Sequence, residues 1–266
     1  MSITQQNKVL VIHFILYLLL GTLIWTINVL GQISFHGNVF FPFFIRSLIL
    51  AGLLVLSYYL NDKFAKKNKL NEGILKFKSE FIKKYFSGSI LGFLLIAIMW
   101  GILYLIYPLE ILKNPGSKIV PVMDIVSYGL GSILEELLFR GFLLLASVRL
   151  FGKTGAILLV SLLFGLFHLP GFGLTKQGLS MALTTFTMSL LFIAVIHYTE
   201  SIWTAVTLHI TLNLLLHTLG FDGAGNGIFR IKFATSNING LFFTLVYEIV
   251  VIAFAAVIFS KERKEI

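Results

Sequence analysis

Long apolar runs alternate with short polar breaks along the chain. Read at the ~20 residues a bilayer requires, these runs predict spans at about 9–31, 40–60, 86–107, 122–147, 155–169, 179–198, 202–219 and 240–259. The expected fold is therefore all-α, a polytopic membrane protein of about eight transmembrane helices. The fourth run is interrupted in an unusual way. Within LEELLFRG, Leu134 to Gly141, two carboxylates and a guanidinium sit between stretches that are otherwise apolar. An unpaired charge in that setting costs roughly 2.5–3.5 kcal/mol on insertion scales, so partners must compensate all three.

Helical spacing assigns part of that compensation. Glu136 and Arg140 are four residues apart with the acid on the N-terminal side, the favoured order for a helical ion pair. Glu135 is five residues from Arg140 and at 100° per residue points roughly 140° away from it, which leaves one carboxylate presented to another surface. The fifth span ends in SLLFGLFHLPGFG, with Phe164 and His168 on one helical face before a proline-glycine break. The seventh contains HITLN, which puts His209 and Asn213 on one face. Counted from the cytoplasmic ends at ~1.5 Å per residue, Glu135 lies about 17 Å deep, His168 about 20 Å and His209 about 12 Å. A single buried polar layer, drawn from three helices, is expected.

Composition supports the membrane reading and narrows the chemistry. The chain is 57% hydrophobic and only 12% charged, with a mean hydropathy of +0.92, against roughly 25% charged residues in ordinary soluble domains. Cysteine is absent, which excludes disulfides, thiolate metal ligands and cysteine nucleophiles. The net charge of +9 does not point to nucleic acid, because no water-exposed stretch is long enough to carry a basic face. Topology accounts for it instead. Eight lysines fall between Asn61 and Lys84, and the positive-inside rule places that loop, and with it both termini, in the cytoplasm of a cell-membrane protein. The first span lacks a small-x-small cleavage site and is expected to remain in the mature protein. With no repeat, low-complexity stretch or soluble domain, residues 1–266 form one integral membrane domain, and 122–220 carry the motifs.

The residues left over define the candidate chemistry. There is no HExxH for a zincin-like site and no pair of aspartates within spans. Ser132 and Ser161 lie near histidines, but small serines in membrane helices are ordinary packing residues. A carboxylate, two histidines and an amide remain, and together these can activate water. Glu135 would act as general base helped by His168, and His209 and Asn213 would stabilise an oxyanion. Glu136 and Arg140 read as a supporting ion pair and Phe164 as wall. His13, His36, His197 and His217 read as hydrogen-bonded core residues. Glu248, alone in the last span, is expected to pair with Arg46 or a tyrosine and is given no role.

EELLFR, FGLFH and HITLN, in that order on separate spans, resemble the EExxxR, FxxxH and HxxxN motifs of the CAAX protease and bacteriocin-processing family (CPBP, or Abi). The resemblance runs from about Asp124 to Gly220. It implies an intramembrane endopeptidase with Glu135, His168, His209 and Asn213 at its centre, acting on a membrane-associated peptide or protein. Family members are called metalloproteases, and zinc would accept Glu135, His168 and His209 as ligands with an open fourth position. Asn213 is better suited to an oxyanion than to a metal, which favours a glutamate-activated water without one. Both versions stay open at this point. The competing function is a non-catalytic bacteriocin-immunity or scaffold protein that uses the same cavity for binding. A transporter would require paired broken helices and internal symmetry, and neither is present.

Overall fold

The computed structural model describes residues 3–34, 40–76, 81–106, 109–115, 121–169, 173–219, 227–233 and 240–261. In chain order these form α1 (Ile3–Ser34), α2 (Phe40–Lys67), a 3-10 turn (Glu72–Leu75), α3 (Phe81–Ile106), β1 (Leu109–Lys113), α4 (Pro121–Arg140), α5 (Phe142–Leu166), α6 (Lys176–Thr199), α7 (Ile202–Thr218), β2 (Phe229–Phe233) and α8 (Gly240–Ser260). Outward-facing Leu19, Val55, Leu105 and Ile249 are exposed, as expected of helices apolar all round whose outer face meets lipid. The second half of α4 and most of α7 are buried.

The all-α membrane architecture is as expected, but eight separate spans is more than the structure displays. Among the described residues, five segments are long and apolar enough to cross a membrane: Gln5–Leu30, Phe41–Lys67, Ile82–Ile106, Ile125–Leu166 and Lys176–Thr199. Ile202–Thr218 and Thr244–Ser260 are shorter apolar helices. The discrepancy lies around the expected span at 122–147. α4 stops at Arg140, α5 starts at Phe142, and α5 kinks again at Gly152, whose φ of 73° is a conformation glycine adopts without steric penalty. Hydropathy could not locate the break after Arg140, because it occurs where Gly141 meets Asn61 of α2, inside a run that stays apolar on both sides.

Close packing sets the helix that carries His209. A Cβ on Gly92 of α3 would lie 2.9 Å from Thr211 Cγ2 of α7, and one on Gly88 would overlap Thr207 Oγ1 and the Thr204 carbonyl. Two glycines four residues apart let membrane helices approach backbone to backbone. Thr207 Oγ1 then donates to the Tyr85 carbonyl at 2.9 Å.

The two ends of the bundle differ in chemistry. At one end β1 and β2 pair antiparallel, Leu109 opposite Phe233 through Lys113 opposite Phe229, so the polar loop between the last two helices contains a strand that its glycines concealed. At the other end basic residues tie helix termini together. Lys84 Nζ donates to the Thr199 carbonyl at 2.7 Å, Arg149 Nη1 to the Asn68 carbonyl at 3.2 Å, and Lys153 Nζ lies 2.7 Å from His197 Nε2. His13 Nδ1 lies 3.0 Å from Asn68 Oδ1, and His217 packs on the Tyr128 ring. These histidines behave as core residues. His36 and the proline-glycine break at 170–171 lie outside the described residues.

Candidate active site

Three helices meet at Glu135. α4 presents Glu135 and Glu136, the turn that closes α5 presents His168, and α7 presents His209. His168 Nδ1 lies 2.8 Å from the Phe164 carbonyl, and a carbonyl only accepts. Nδ1 therefore carries the hydrogen and Nε2 exposes its lone pair. The same logic holds for His209, whose Nδ1 lies 2.9 Å from Glu136 Oε1. Both Nε2 atoms face one oxygen: Glu135 Oε2 is 3.9 Å from His168 Nε2 and 3.7 Å from His209 Nε2. These gaps are too long for direct hydrogen bonds but admit a water at about 2.8 Å from each group. Three acceptors converge and none of them supplies a hydrogen.

Burial separates the two carboxylates. The Glu135 side chain is 16% exposed and His168 18%, whereas Glu136 and Arg140 are at 0%. Arg140 Nη1 reaches Glu136 Oε1 at 3.3 Å, while its Nε and Nη2 meet no hydrogen-bond partner among the described residues. Aromatic faces take their place. The guanidinium lies 4.0 Å from the Phe164 ring centre and 5.2 Å from that of Phe192, the geometry of cation–π attraction. Phe192 in turn stacks on His209 at 4.7 Å, and Phe164 sets its edge against His168 at 4.9 Å. Asn213 Nδ2 donates to Ser132 Oγ at 3.2 Å. From α1, Trp25 donates to the Phe167 carbonyl at 3.0 Å and lays its ring 5.9 Å from that of His168.

The predicted Glu136–Arg140 pair is present, and Glu135, His168 and His209 are brought together. Asn213 sits against Ser132, next to this cluster. Glu135, which points roughly 140° away from Arg140 by helical geometry, faces α5 and α7, and the His209 ring bridges the two carboxylates: Glu136 holds Nδ1 while Glu135 faces Nε2. Spacing within α4 carries no information about a partner on α7. Phe164, read as wall, is also the nearest aromatic face to Arg140. The expected hydrogen-bonded partner of Glu248 is corrected: among the described residues it is neither Arg46 nor a tyrosine but Thr184, whose Oγ1 donates at 2.8 Å, and Thr187, because α8 lies against α6. Phe192 and Trp25 were missed, since aromatic residues within apolar spans have no sequence signal to set them apart.

The donor set of Glu135, His168 and His209 is one zinc accepts, and the Nδ1 partners are of the kind that orient metal-bound histidines. The separations of 3.7 and 3.9 Å are wider than the roughly 3.3 Å between neighbouring ligands of a tetrahedral zinc with bonds of about 2.0–2.1 Å. Among the described residues, no group of three or more His, Cys, Asp or Glu closes to a metal-holding geometry.

Residues 117–215 match the family described as Type II CAAX prenyl endopeptidase Rce1-like, in agreement with the resemblance of the three motifs, all of which lie inside that stretch. No curated protein and no solved structure matches the chain. Together with the apolar helices, the match supports an endopeptidase of the membrane in general terms.

Proposed function

We propose that this chain is an intramembrane endopeptidase in which Glu135 activates a water for attack on a peptide carbonyl, within a catalytic core at 122–220 of a single membrane domain. The observation that carries this reading is the convergence of Glu135 Oε2 with two imidazole lone pairs, a set of acceptors that water satisfies by donating. As the water oxygen bonds to the carbonyl carbon, its proton passes to Glu135, with His168 holding the water in line. The oxyanion takes a hydrogen bond from Asn213 Nδ2, whose other hydrogen is held by Ser132, and from His209 Nε2, which takes up a proton from bulk solvent as the substrate binds and returns it after product release. Glu136 behind Nδ1 stabilises that imidazolium, and Arg140 offsets the charge of Glu136. The proton on Glu135 then goes to the leaving nitrogen as the C–N bond breaks. If a metal binds here, Glu135, His168 and His209 hold it, and it supplies polarisation of the water.

The substrate class is a membrane-associated peptide or protein, and the lysine-rich end of the bundle is the cytoplasmic one. The reading is tested with a quenched-fluorophore CAAX peptide, farnesylated and unfarnesylated, on purified protein. Glu135→Gln keeps the shape and removes the base, so cleavage should fall by about 10²–10⁴-fold while the protein stays folded and binds the peptide. Undiminished cleavage by Glu135→Gln would overturn the assignment. Wild-type activity should survive strong chelation; loss that zinc restores would assign the metal version to the same three residues.

A further inference from the structure

We infer that Asn61 of α2 is a positioning residue that fixes the angle between α4 and α5, and with it the approach of His168 to Glu135. The catalytic consequence rests on the function proposed above; the geometry does not. α4 carries both carboxylates and joins α5 at Gly141; α5 reaches His168 only through its second kink at Gly152, so the angle at Gly141 is that of its first part, Phe142 to Phe151. In a continuous helix the Leu137 carbonyl and the Phe142 N–H would find partners four residues away. At a break inside apolar surroundings they need others, or they leave polar groups unsatisfied in the membrane interior.

Asn61 meets both. Its Nδ2 donates to the Leu137 carbonyl at 2.9 Å and to the Ser57 carbonyl at 2.8 Å. Its Oδ1 accepts from the Phe142 N–H and lies 3.0 Å from Tyr17 OH. An amide has two donors and one oxygen with two lone pairs, so this side chain, fully buried at 0% exposure, has both donors engaged and its oxygen on the Phe142 N–H, while the Tyr17 hydroxyl is shared between that oxygen and the Leu137 carbonyl at 3.2 Å. Aspartate would lose both donors. Leucine would lose every bond. Gly141 makes the contact possible, because a Cβ there would overlap Asn61 Oδ1 and the Leu137 carbonyl. Tyr17 and Phe64 close around the break with their rings 5.1 and 5.3 Å from that of Phe142. One side chain thus links α1, α2, α4 and α5 directly after Arg140.

The chain has no native cysteine, so two spin labels report the angle directly. Ile125→Cys on α4 and Phe151→Cys on the part of α5 before the Gly152 kink sit at exposed positions, away from the proposed site. Adding Asn61→Leu should shift or broaden the label distance. On whichever CAAX peptide the wild type cleaves, kcat should fall by about 10²-fold, the scale of a ~1 Å misplacement, with KM unchanged. A purely scaffolding role would lower the amount of folded protein without splitting kcat from KM. If Asn61→Leu does not fold, Gly141→Ala, which displaces Asn61 by its Cβ, and Tyr17→Phe, which removes a single hydroxyl, carry the same measurements. A label distance identical to wild type overturns the inference, as does unchanged kcat in a background where Glu135→Gln is inactive. If Glu135→Gln cleaves normally, the proposed function fails, while the label distance still decides whether Asn61 sets the angle.

Discussion

Arg140 shows how a buried cation is held when carboxylate oxygens are scarce. It has one bond to Glu136 and aromatic faces on its remaining sides. Arg140→Ala would strand Glu136 in the core, and thermal unfolding in detergent should report a loss of about 3–5 kcal/mol together with lost activity. Full stability with no activity would instead make Arg140 a substrate contact. Arg140→Lys keeps the charge but not the planar stacking on Phe164, and should lie between alanine and wild type. At the oxyanion side, Asn213→Ala should lower kcat by about 10²–10³-fold. Ser132→Ala should cost less, because Ser132 only aims the amide; equal losses would show that Ser132 touches the substrate. The motif letters made Glu135, His168, His209 and Asn213 legible one by one. They did not reveal the grip of Glu136 on His209, because that contact joins residues 73 apart.

At the scale of elements, the site depends on how closely α7 can be drawn to α3. Gly88→Leu would press a side chain into the Thr204 carbonyl and Thr207. Overpacking of this kind typically costs about 1–3 kcal/mol, and the displaced α7 carries His209 with it. Unfolding midpoint and kcat should therefore fall together in this variant, whereas a drop in kcat at unchanged midpoint would place the effect elsewhere. Helical spans were readable from apolar run length, and the Glu136–Arg140 pair from its spacing of four. The end of α4 was not, because nothing in the sequence around Gly141 shows that it faces Asn61 of α2.

For the whole molecule, the two ends of the bundle give a topology that can be checked. Lys84, Arg149 and Lys153 gather helix termini at one end, and the β1–β2 pair marks the other. The proposed orientation, with the basic end in the cytoplasm, predicts that single cysteines at the exposed positions Lys69 and Lys113 label from opposite sides of the membrane, Lys69 from within and Lys113 from outside. Labelling of both from one side would refute the threading.

By itself the sequence determined that the chain is a helical membrane protein, and it marked the three motif-bearing stretches and the ionisable side chains on which the proposed chemistry rests. Run length, charge placement and helical period are local quantities, and each survives in one dimension. Only the tertiary structure decided how those side chains face one another. Glu135 Oε2 is set against two imidazole nitrogens, Glu136 is turned to His209, Glu248 is lodged between threonines, and α4 is stopped at Gly141 by an amide from α2. Each of these is a contact between helices far apart in sequence. Such contacts are fixed by where small residues let backbones approach and where buried polar groups must find partners, so no window along the chain contains them.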